Sequence, residues 1–371
     1  MNGAPRVTAT VDLAAIRHNL QQVRRYAPQS KVMAAIKANA YGHGAVAVAR
    51  ALLDQADSFA VAGMQEALLL READVRAPLV LLEGILSLEE AKLAQRHDLQ
   101  LVVHDHWQLD LLETLPQGAR ISLWIKLDSG MHRLGFPLSE AGNLWTRIQA
   151  RPEWDCRGWM THLACADELE NPATVEQVAA FNSALKGLPG ARSIANSAGL
   201  IAWPNTRTDW VRPGLMLYGA SPFPDKTAAD LGLKPAMKLE SRLIAVHRFA
   251  KGDGIGYGAR YRCPEDMPVG VVAAGYGDGI RRVTPLGTPM IVNGQRVPLI
   301  GRVSMDMITV DLRAVPQAKA GDSVLLWGDG LPAEEIARHV GTLAYELFCG
   351  LTQRVSFVQL EARSGDPAAL A

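Results

Sequence analysis

Residues 31–55, KVMAAIKANAYGHGAVAVARALLDQ, place a short apolar β-type run before Lys37, a polar turn punctuated by glycine after it, and then apolar residues at helical spacing. A run of that length bounded by a turn reads as a buried strand, and the recurrence behind it reads as an amphipathic helix. The same unit recurs along the chain. SFAVAG from 58 is followed by the helical MQEALLLREAD, and PLVLLEG from 78, LQLVVHD from 99, ISLWIKLD from 121, DCRGWMTHL from 155, ARSIANSAG from 191 and WVRPGLMLYG from 210 bring the apolar runs to eight. Eight strand-and-crossover units predict an α/β fold, a (β/α)8 barrel of the TIM type. The last two units are the weakest, because SAGLIAWPN is short for a crossover helix and Pro204 and Pro213 interrupt the pattern.

Past Pro222 the texture changes to short strands separated by Gly, Pro and Asn-Gly turns. Asn293-Gly294 inside PMIVNGQRVPLI supplies the two positive φ angles of a type I′ hairpin turn. A late helix is expected over PAEEIARHVGTLAYELFC. The division expected is a barrel domain over 9–225 and a mainly β domain over 226–371. RVTATVDL, ahead of the barrel, is either a strand of its own or a partner of the second domain, so 1–8 could join the latter.

The chain has 371 residues, 48% hydrophobic and 20% charged, which suits two packed domains better than one. Lys+Arg and Asp+Glu balance at 38 each, so the electrostatic footprint of a nucleic-acid or anionic-membrane binder is missing. Small-molecule chemistry is the better expectation. The four cysteines show no CxxC spacing, and the opening MNGAPRVTAT has neither a cationic nor an apolar leader region. No apolar stretch approaches a membrane span, and the expected location is the cytoplasm.

Lys37 ends the first barrel run, and in such barrels the strand C-termini form the active-site mouth. A desolvated lysine there can lose its proton and become nucleophilic toward a carbonyl, which is how pyridoxal phosphate is tethered. On residue type alone, a lysine in such a loop is far more often a solvated surface charge. The surrounding string changes that reading. IKANAYGHG resembles the pyridoxal-phosphate attachment signature of the alanine racemase family. WIKLDSGMHRLGF, THLACAD, IANSAG, VRPGLMLYG, GIGYGARY, AAGYGDG, GRVSMDM and AYELFCGL also resemble segments of that family, in its order.

The resemblance implies pyridoxal 5'-phosphate as cofactor, alanine as substrate, no metal, and a homodimer with shared active sites. Racemisation needs a base on each face of the amino acid. By resemblance Lys37 serves one face, acting on D-alanine, and Tyr257 the other, acting on L-alanine. A phenol titrates near ~10 in water, so Tyr257 needs a positive, hydrogen-bonding neighbourhood, which His162 and Arg212 would provide. Arg212 is implied to contact the cofactor's pyridine nitrogen. An arginine cannot lend that nitrogen a proton, which weakens the electron sink and favours prompt reprotonation over transamination.

For the phosphate, Tyr41, Ser197, Gly214 and Tyr345 are the candidates, with Asn196 beside them; Ser197 could equally be a helix cap. Arg133 resembles the family arginine that meets the cofactor's phenolic oxygen and the substrate carboxylate. Lys126 aligns with a lysine often carried as a carbamate, whose charge would orient Arg133. Tyr276 and Met305 are placed at the substrate entrance. Two positions depart from the pattern: Gly63 where an arginine is expected, and Ser304 where a cysteine is expected.

Three other readings compete. A racemase of the same fold with a broader substrate range would need more room than Tyr276, Tyr345 and Met305 leave. A related decarboxylase would carry an acidic group where Arg212 stands. A non-catalytic carrier of the cofactor would have no use for a second domain bearing GIGYGARY.

Overall fold

The structure is a computed structural model describing residues 5–361, so the start of the segment read for a leader lies outside the described residues. The chain divides into two compact units: Arg17–Leu217, and the chain up to Ile16 together with the part from Tyr218 onward. Strand β1, Thr8–Asp12, belongs to the second of these.

Beside a two-residue strand, Phe136–Pro137, that runs parallel to the end of Ile121–Asp128, eight strands build the barrel of the first unit: β2 (Lys31–Ala35), β3 (Ser58–Val61), β4 (Leu79–Leu81), β5 (Leu99–Val103), β6 (Ile121–Asp128), β7 (Trp154–Met160), β8 (Ala191–Ser193) and β9 (Trp210–Val211). Each pairs in parallel with the next, and β9 pairs back with β2, so the ring closes and has no edge. All eight expected runs are therefore barrel strands. The two units that looked weakest have short strands, three residues in β8, as in β4, and two in β9, joined by the short helix Ser197–Ala202 and a single 3-10 turn, Pro204–Thr206.

The barrel is filled, not hollow. Met33, Ala60, Val80, Val102, Trp124, Met160 and Trp210 form one buried cluster. Trp124 meets Trp210 edge-on at 5.6 Å and donates its indole N–H to Gln100 Oε1 at 2.9 Å, so the large ring is packed with its polar atom satisfied. Burying such rings supplies about 2–3 kcal/mol each, enough to fix the register of the strands they hang from. Because the strands are parallel, the residues after each strand end collect at one face.

In the second unit the sheet order is Met267–Val272, Ile308–Asp311, Gln295–Ile300, Pro289–Val292, Ser323–Trp327, Met237–Phe249, β1 and Ser356–Leu360, and Met237–Phe249 also pairs back with Met267–Val272. RVTATVDL thus pairs with this domain, antiparallel to Met237–Phe249 and parallel to Ser356–Leu360. The Asn293-Gly294 hairpin forms, with φ of 49° and 77° and Val292 opposite Gln295. The single late helix does not form. Gly341 takes the left-handed conformation, φ 72°, and splits the segment into Ala333–Val340 and Ala344–Cys349. A glycine adopts that conformation without steric cost, and the Thr342 N–H closes the first helix on Ala337 O at 2.9 Å.

Candidate active site

The turn after Lys37 is left-handed. Ala38 (φ 50°, ψ 50°), Asn39 (53°, 46°), Ala40 (54°, 51°) and Tyr41 (φ 51°) occupy in succession a region that costs about 1–2 kcal/mol for each L-residue. Its own short-range bonds offset part of this: Ala40 N–H to Ile36 O at 2.8 Å, Gly42 N–H to Ala38 O at 2.9 Å and Gly44 N–H to Asn39 O at 2.9 Å. Asn39 Oδ1 accepts the first amide of helix Ala45–Leu52, from Ala45 at 2.8 Å. Buried His43 sits in bonding range of the Ala40 and Tyr41 carbonyls through Nδ1, at 3.1 and 2.9 Å. Burial pushes this imidazole down to about 4, so it is neutral and Nδ1 donates. Strain on this scale persists only where the surroundings over-determine it, and it ends at the barrel mouth.

Around that mouth the strand ends bring cations together. Arg212, after β9, is buried and donates to Ser193 Oγ at 2.7 Å, to Ile194 O at 3.2 Å and to Thr161 O. All three acceptors are neutral. Burial lowers its guanidinium to about 10, which leaves it charged at neutral pH. Lys126, also buried, is pushed down to about 8 by burial first and then by Arg212, Arg133 and Lys37, against the pull of Asp128. The His162 imidazole is held well below its ordinary range by burial and by the same four cations, so it too is neutral. Asp128 shapes the loop bearing Arg133: its Oδ1 accepts the N–H groups of Gly130, Met131 and His132 at 2.9, 3.1 and 3.0 Å. Burial alone would raise that carboxyl, but these bonds and His132 outweigh it and hold it low. A small cleft there is lined by Lys126, Asp128, Arg133, Thr161 and His162.

Asn196 and Ser197 divide their duties. Asn196 is the cap of helix Ser197–Ala202, its Oδ1 accepting Gly199 N–H at 2.8 Å. The cap role considered for Ser197 thus falls to its neighbour. Ser197 Oγ accepts the N–H groups of Gly214 and Met216 at 2.9 and 3.3 Å, which commits the Gly214 amide and leaves the serine hydroxyl hydrogen to donate. Tyr41 closes in from the other side, against Gly214.

The remaining expected residues lie in the second unit. Tyr257 opens a 3-10 turn between Gly256 (φ 68°) and Gly258 (φ 74°), and is 67% exposed. Tyr276 and Met305 are tied to each other's segments, Tyr276 N–H to Ser304 O at 3.0 Å and Gly277 N–H to Met305 O at 2.8 Å. Ser304, the departure from the expected cysteine, contributes there through its carbonyl. Tyr345 lies on helix Ala344–Cys349. Gly63, the other departure, precedes helix Met64–Glu72 with open space around it, so no neighbour dictates a glycine.

Reading the sequence assigned no part to Glu66, His43 or Ser193. Glu66 lies on what reads as the solvent face of an outer helix, yet its carboxylate accepts Ala38 N–H and Ala62 N–H, both at 2.7 Å. His43 stands inside the quoted motif, and Ser193 ends a strand run; only contacts across the fold reveal their work.

A mouth that gathers Lys37, Lys126, Arg133 and Arg212 carries an excess of like charge that Asp128 offsets only in part, and an anion placed there relieves it. The Ser197 hydroxyl and the Tyr41 phenol over Gly214 add neutral donors suited to a phosphate. Fold and site together define a (β/α)8-barrel protein whose cationic mouth suits an anionic ligand. Models of the alanine racemase N-terminal and C-terminal domains match residues 11–222 and 236–359. The alanine racemase of Nitrosococcus oceani is 53% identical over 349 residues, 94% of this chain and 97% of its own length. The crystal structure of the biosynthetic alanine racemase from Pseudomonas aeruginosa superposes with a TM-score of 0.93 at 44% identity, covering 96% of this chain and all (100%) of that one. That of the alanine racemase from Bartonella henselae with covalently bound pyridoxal phosphate gives 0.89 at 27% identity, covering 96% and 100%. The chain belongs to the alanine racemase family.

Proposed function

We propose that this protein interconverts L- and D-alanine by a two-base route, with Lys37 on one face of the substrate and Tyr257 of the partner subunit on the other. Membership of the family carries the activity and its dependence on pyridoxal 5'-phosphate. The observation that supports the shared site is the exposure of Tyr257, a phenol on a glycine-flanked turn, 67% exposed in a single chain.

Bound cofactor supplies the electron sink that makes the α-proton of alanine removable. Lys37 Nζ takes that proton from D-alanine and returns one when the reaction runs the other way. The Tyr257 phenolate does the same on the opposite face for L-alanine. His162, neutral, accepts or donates a hydrogen bond toward that phenol. Arg212 keeps its own proton and would hold the cofactor's ring without donating one to it, so the electron sink would be only partly engaged and reprotonation favoured. Arg133 offers a fork to the substrate carboxylate.

Tyr41, Ser197 and Tyr345 hold the phosphate, with Gly214, its amide given to Ser197, leaving room for the Tyr41 hydroxyl, and Asn196 fixing the helix that starts at Ser197. Lys126, its amine pushed down to about 8, is unprotonated often enough to add carbon dioxide; the N–C bond forms, a proton leaves, and the carbamate anion pairs with Arg133. Tyr276 and Met305 narrow the entrance to a methyl-sized side chain. The domain from 226 onward supplies the second base across a homodimer interface. The setting proposed is the cytoplasm, supplying D-alanine for peptidoglycan or L-alanine for catabolism. No helix of the described residues is long and apolar enough to cross a membrane.

Mixing two inactive variants tests the shared site. Lys37→Ala and Tyr257→Phe chains, unfolded and refolded together, should recover racemisation of L-alanine that neither shows alone, because a hybrid dimer holds one intact lysine–tyrosine pair. Failure to recover any activity while hybrid dimers form would rule out a base donated between subunits.

A further inference from the structure

We infer that Glu66 is a positioning residue for Lys37, acting through the peptide that follows it. The carboxylate bridges two backbone amides at the barrel mouth: Oε1 takes Ala38 N–H and Oε2 takes Ala62 N–H, each at 2.7 Å. Ala38 is the residue after Lys37, so the first bond fixes the Lys37–Ala38 peptide plane. Ala62 is the residue after β3, so the second ties that plane to the neighbouring strand. The strand ladder itself stops two residues earlier on each strand, with Ile36 N–H on Ala60 O at 2.9 Å. Beyond it, Glu66 continues the connection between the two strand ends with a side chain.

The place of this clamp gives it its consequence. Ala38 is the first of four residues in the left-handed region, and nothing in the intrinsic preference of an alanine holds it there. The short-range bonds of the turn are made by the amides of Ala40, Gly42, His43 and Gly44, all later in the chain. They close the turn without anchoring its first amide to the barrel. Glu66 does so with both oxygens of an anion, and bonds from amides to a carboxylate are among the stronger ones available. With the clamp gone, the Lys37 peptide can rotate, and both the lysine amine and the Tyr41 hydroxyl at the far end of the turn shift. Fold stability depends far less on it, because Glu66 is half-buried on an outer helix and the barrel core lies elsewhere.

The inference rests on Lys37 being the residue that carries the cofactor. Holoenzymes of Glu66→Ala and Glu66→Gln are compared with wild type and with Ser87→Ala. The last variant removes the cap of helix Leu88–Arg96, whose hydroxyl accepts Glu90 N–H at 3.2 Å, and so costs stability without touching the Lys37 turn. Three quantities are read: kcat and KM separately, the rate of cofactor release into an aldehyde trap, and the visible circular dichroism of the bound cofactor.

For Glu66→Ala the expected result is a kcat about 10- to 100-fold lower at little-changed KM, since misplacement of a reacting group by an ångström has effects of that order. Cofactor release should be faster by roughly tenfold, with an altered dichroism band. Glu66→Gln, which keeps one carbonyl acceptor, should fall between, and Ser87→Ala should match wild type in all three. Wild-type release and dichroism in Glu66→Ala would overturn the inference whatever happens to kcat. If Glu66→Ala does not fold, the same two readouts on Glu66→Gln decide. Borohydride fixation followed by peptide mapping separates this from the reading beneath it. A label away from Lys37 overturns the lysine assignment, whereas a label on Lys37 with unchanged Glu66 variants overturns only the clamp.

Discussion

A β-carbon placed on Gly214 would stand 2.7 Å from the hydroxyl oxygen of Tyr41. That separation is shorter than side chains tolerate, so residue 214 can carry a side chain or Tyr41 can keep its place, but not both. The relationship joins the two ends of the barrel ring, since Tyr41 follows β2 and Gly214 follows β9. Gly214→Ala should therefore displace the Tyr41 hydroxyl and leave the barrel standing. The expected outcome is cofactor affinity lower by roughly tenfold, with a stability loss of about 1–2 kcal/mol at most. Titration of apoprotein with pyridoxal 5'-phosphate, beside thermal melts of the same samples, checks it; unchanged affinity would show that Tyr41 takes no part in holding the phosphate.

Much of this architecture was legible in the residues because period and punctuation carry it. Each of the eight apolar runs is short, bounded and followed by polar or helical chain, and the Asn293-Gly294 turn announces its hairpin by backbone chemistry alone. The split at Gly341 was signalled by a glycine in mid-helix, but apolar spacing on either side of it outweighed one breaker. The left-handed turn after Lys37 had no such signal. Ala38, Asn39, Ala40 and Tyr41 include no glycine, and what holds them comes from Glu66 and His43, whose roles depend on contacts that local preference does not encode. The motifs pointed to the candidate site residues; the contacts that support them left no mark in the sequence.

Arg212→Lys tests whether the buried guanidinium is used as a fork. Ser193 Oγ, Thr161 O and Ile194 O surround its two terminal nitrogens, and an ammonium cannot span them. At least one buried acceptor then loses its donor. Stability should fall by about 1.5–3 kcal/mol, and kcat should fall on the order of tenfold or more. Urea unfolding and the racemisation assay read the two effects. A lysine variant equal to wild type in both would mean that only the charge matters.

Lys126 makes a prediction about pH. Its amine is lowered from 10.5 to about 8, so the charged form is the one disfavoured by folding. Between those values the unfolded chain binds the extra proton, and stability rises with pH through that window; below about 8 the full penalty applies. Lys126→Met removes the penalty. In buffer free of carbon dioxide the variant should be more stable than wild type at neutral pH by about 2–3 kcal/mol, a gap that closes on the alkaline side. Bicarbonate should narrow the neutral-pH gap for wild type alone, because a carbamate replaces the disfavoured cation by an anion. Urea melts at neutral and alkaline pH, with and without bicarbonate, measure both; a gap indifferent to bicarbonate would remove the carbamate from the mechanism.

His43 sets the acid limit of the same site. Burial lowers its imidazole from 6.5 to about 4, opposed in part by the bonds to the Tyr41 and Ala40 carbonyls. The neutral ring is favoured in the fold, so the stability it contributes is present above 6.5 and is lost as the pH falls through about 4. Complete protonation costs about 3 kcal/mol on the same scale. His43→Asn offers an amide N–H near the position of Nδ1 and does not titrate, so its melting temperature should be flatter across this acid range, at the cost of a small loss at neutral pH. The carbonyls that His43 holds belong to the turn between Lys37 and Gly44, so acid should loosen that turn before the barrel. Wild-type holoenzyme should accordingly release cofactor at a pH above its unfolding midpoint, and His43→Asn should bring the two midpoints together. Coincident midpoints in the wild type would place the acid-sensitive group elsewhere.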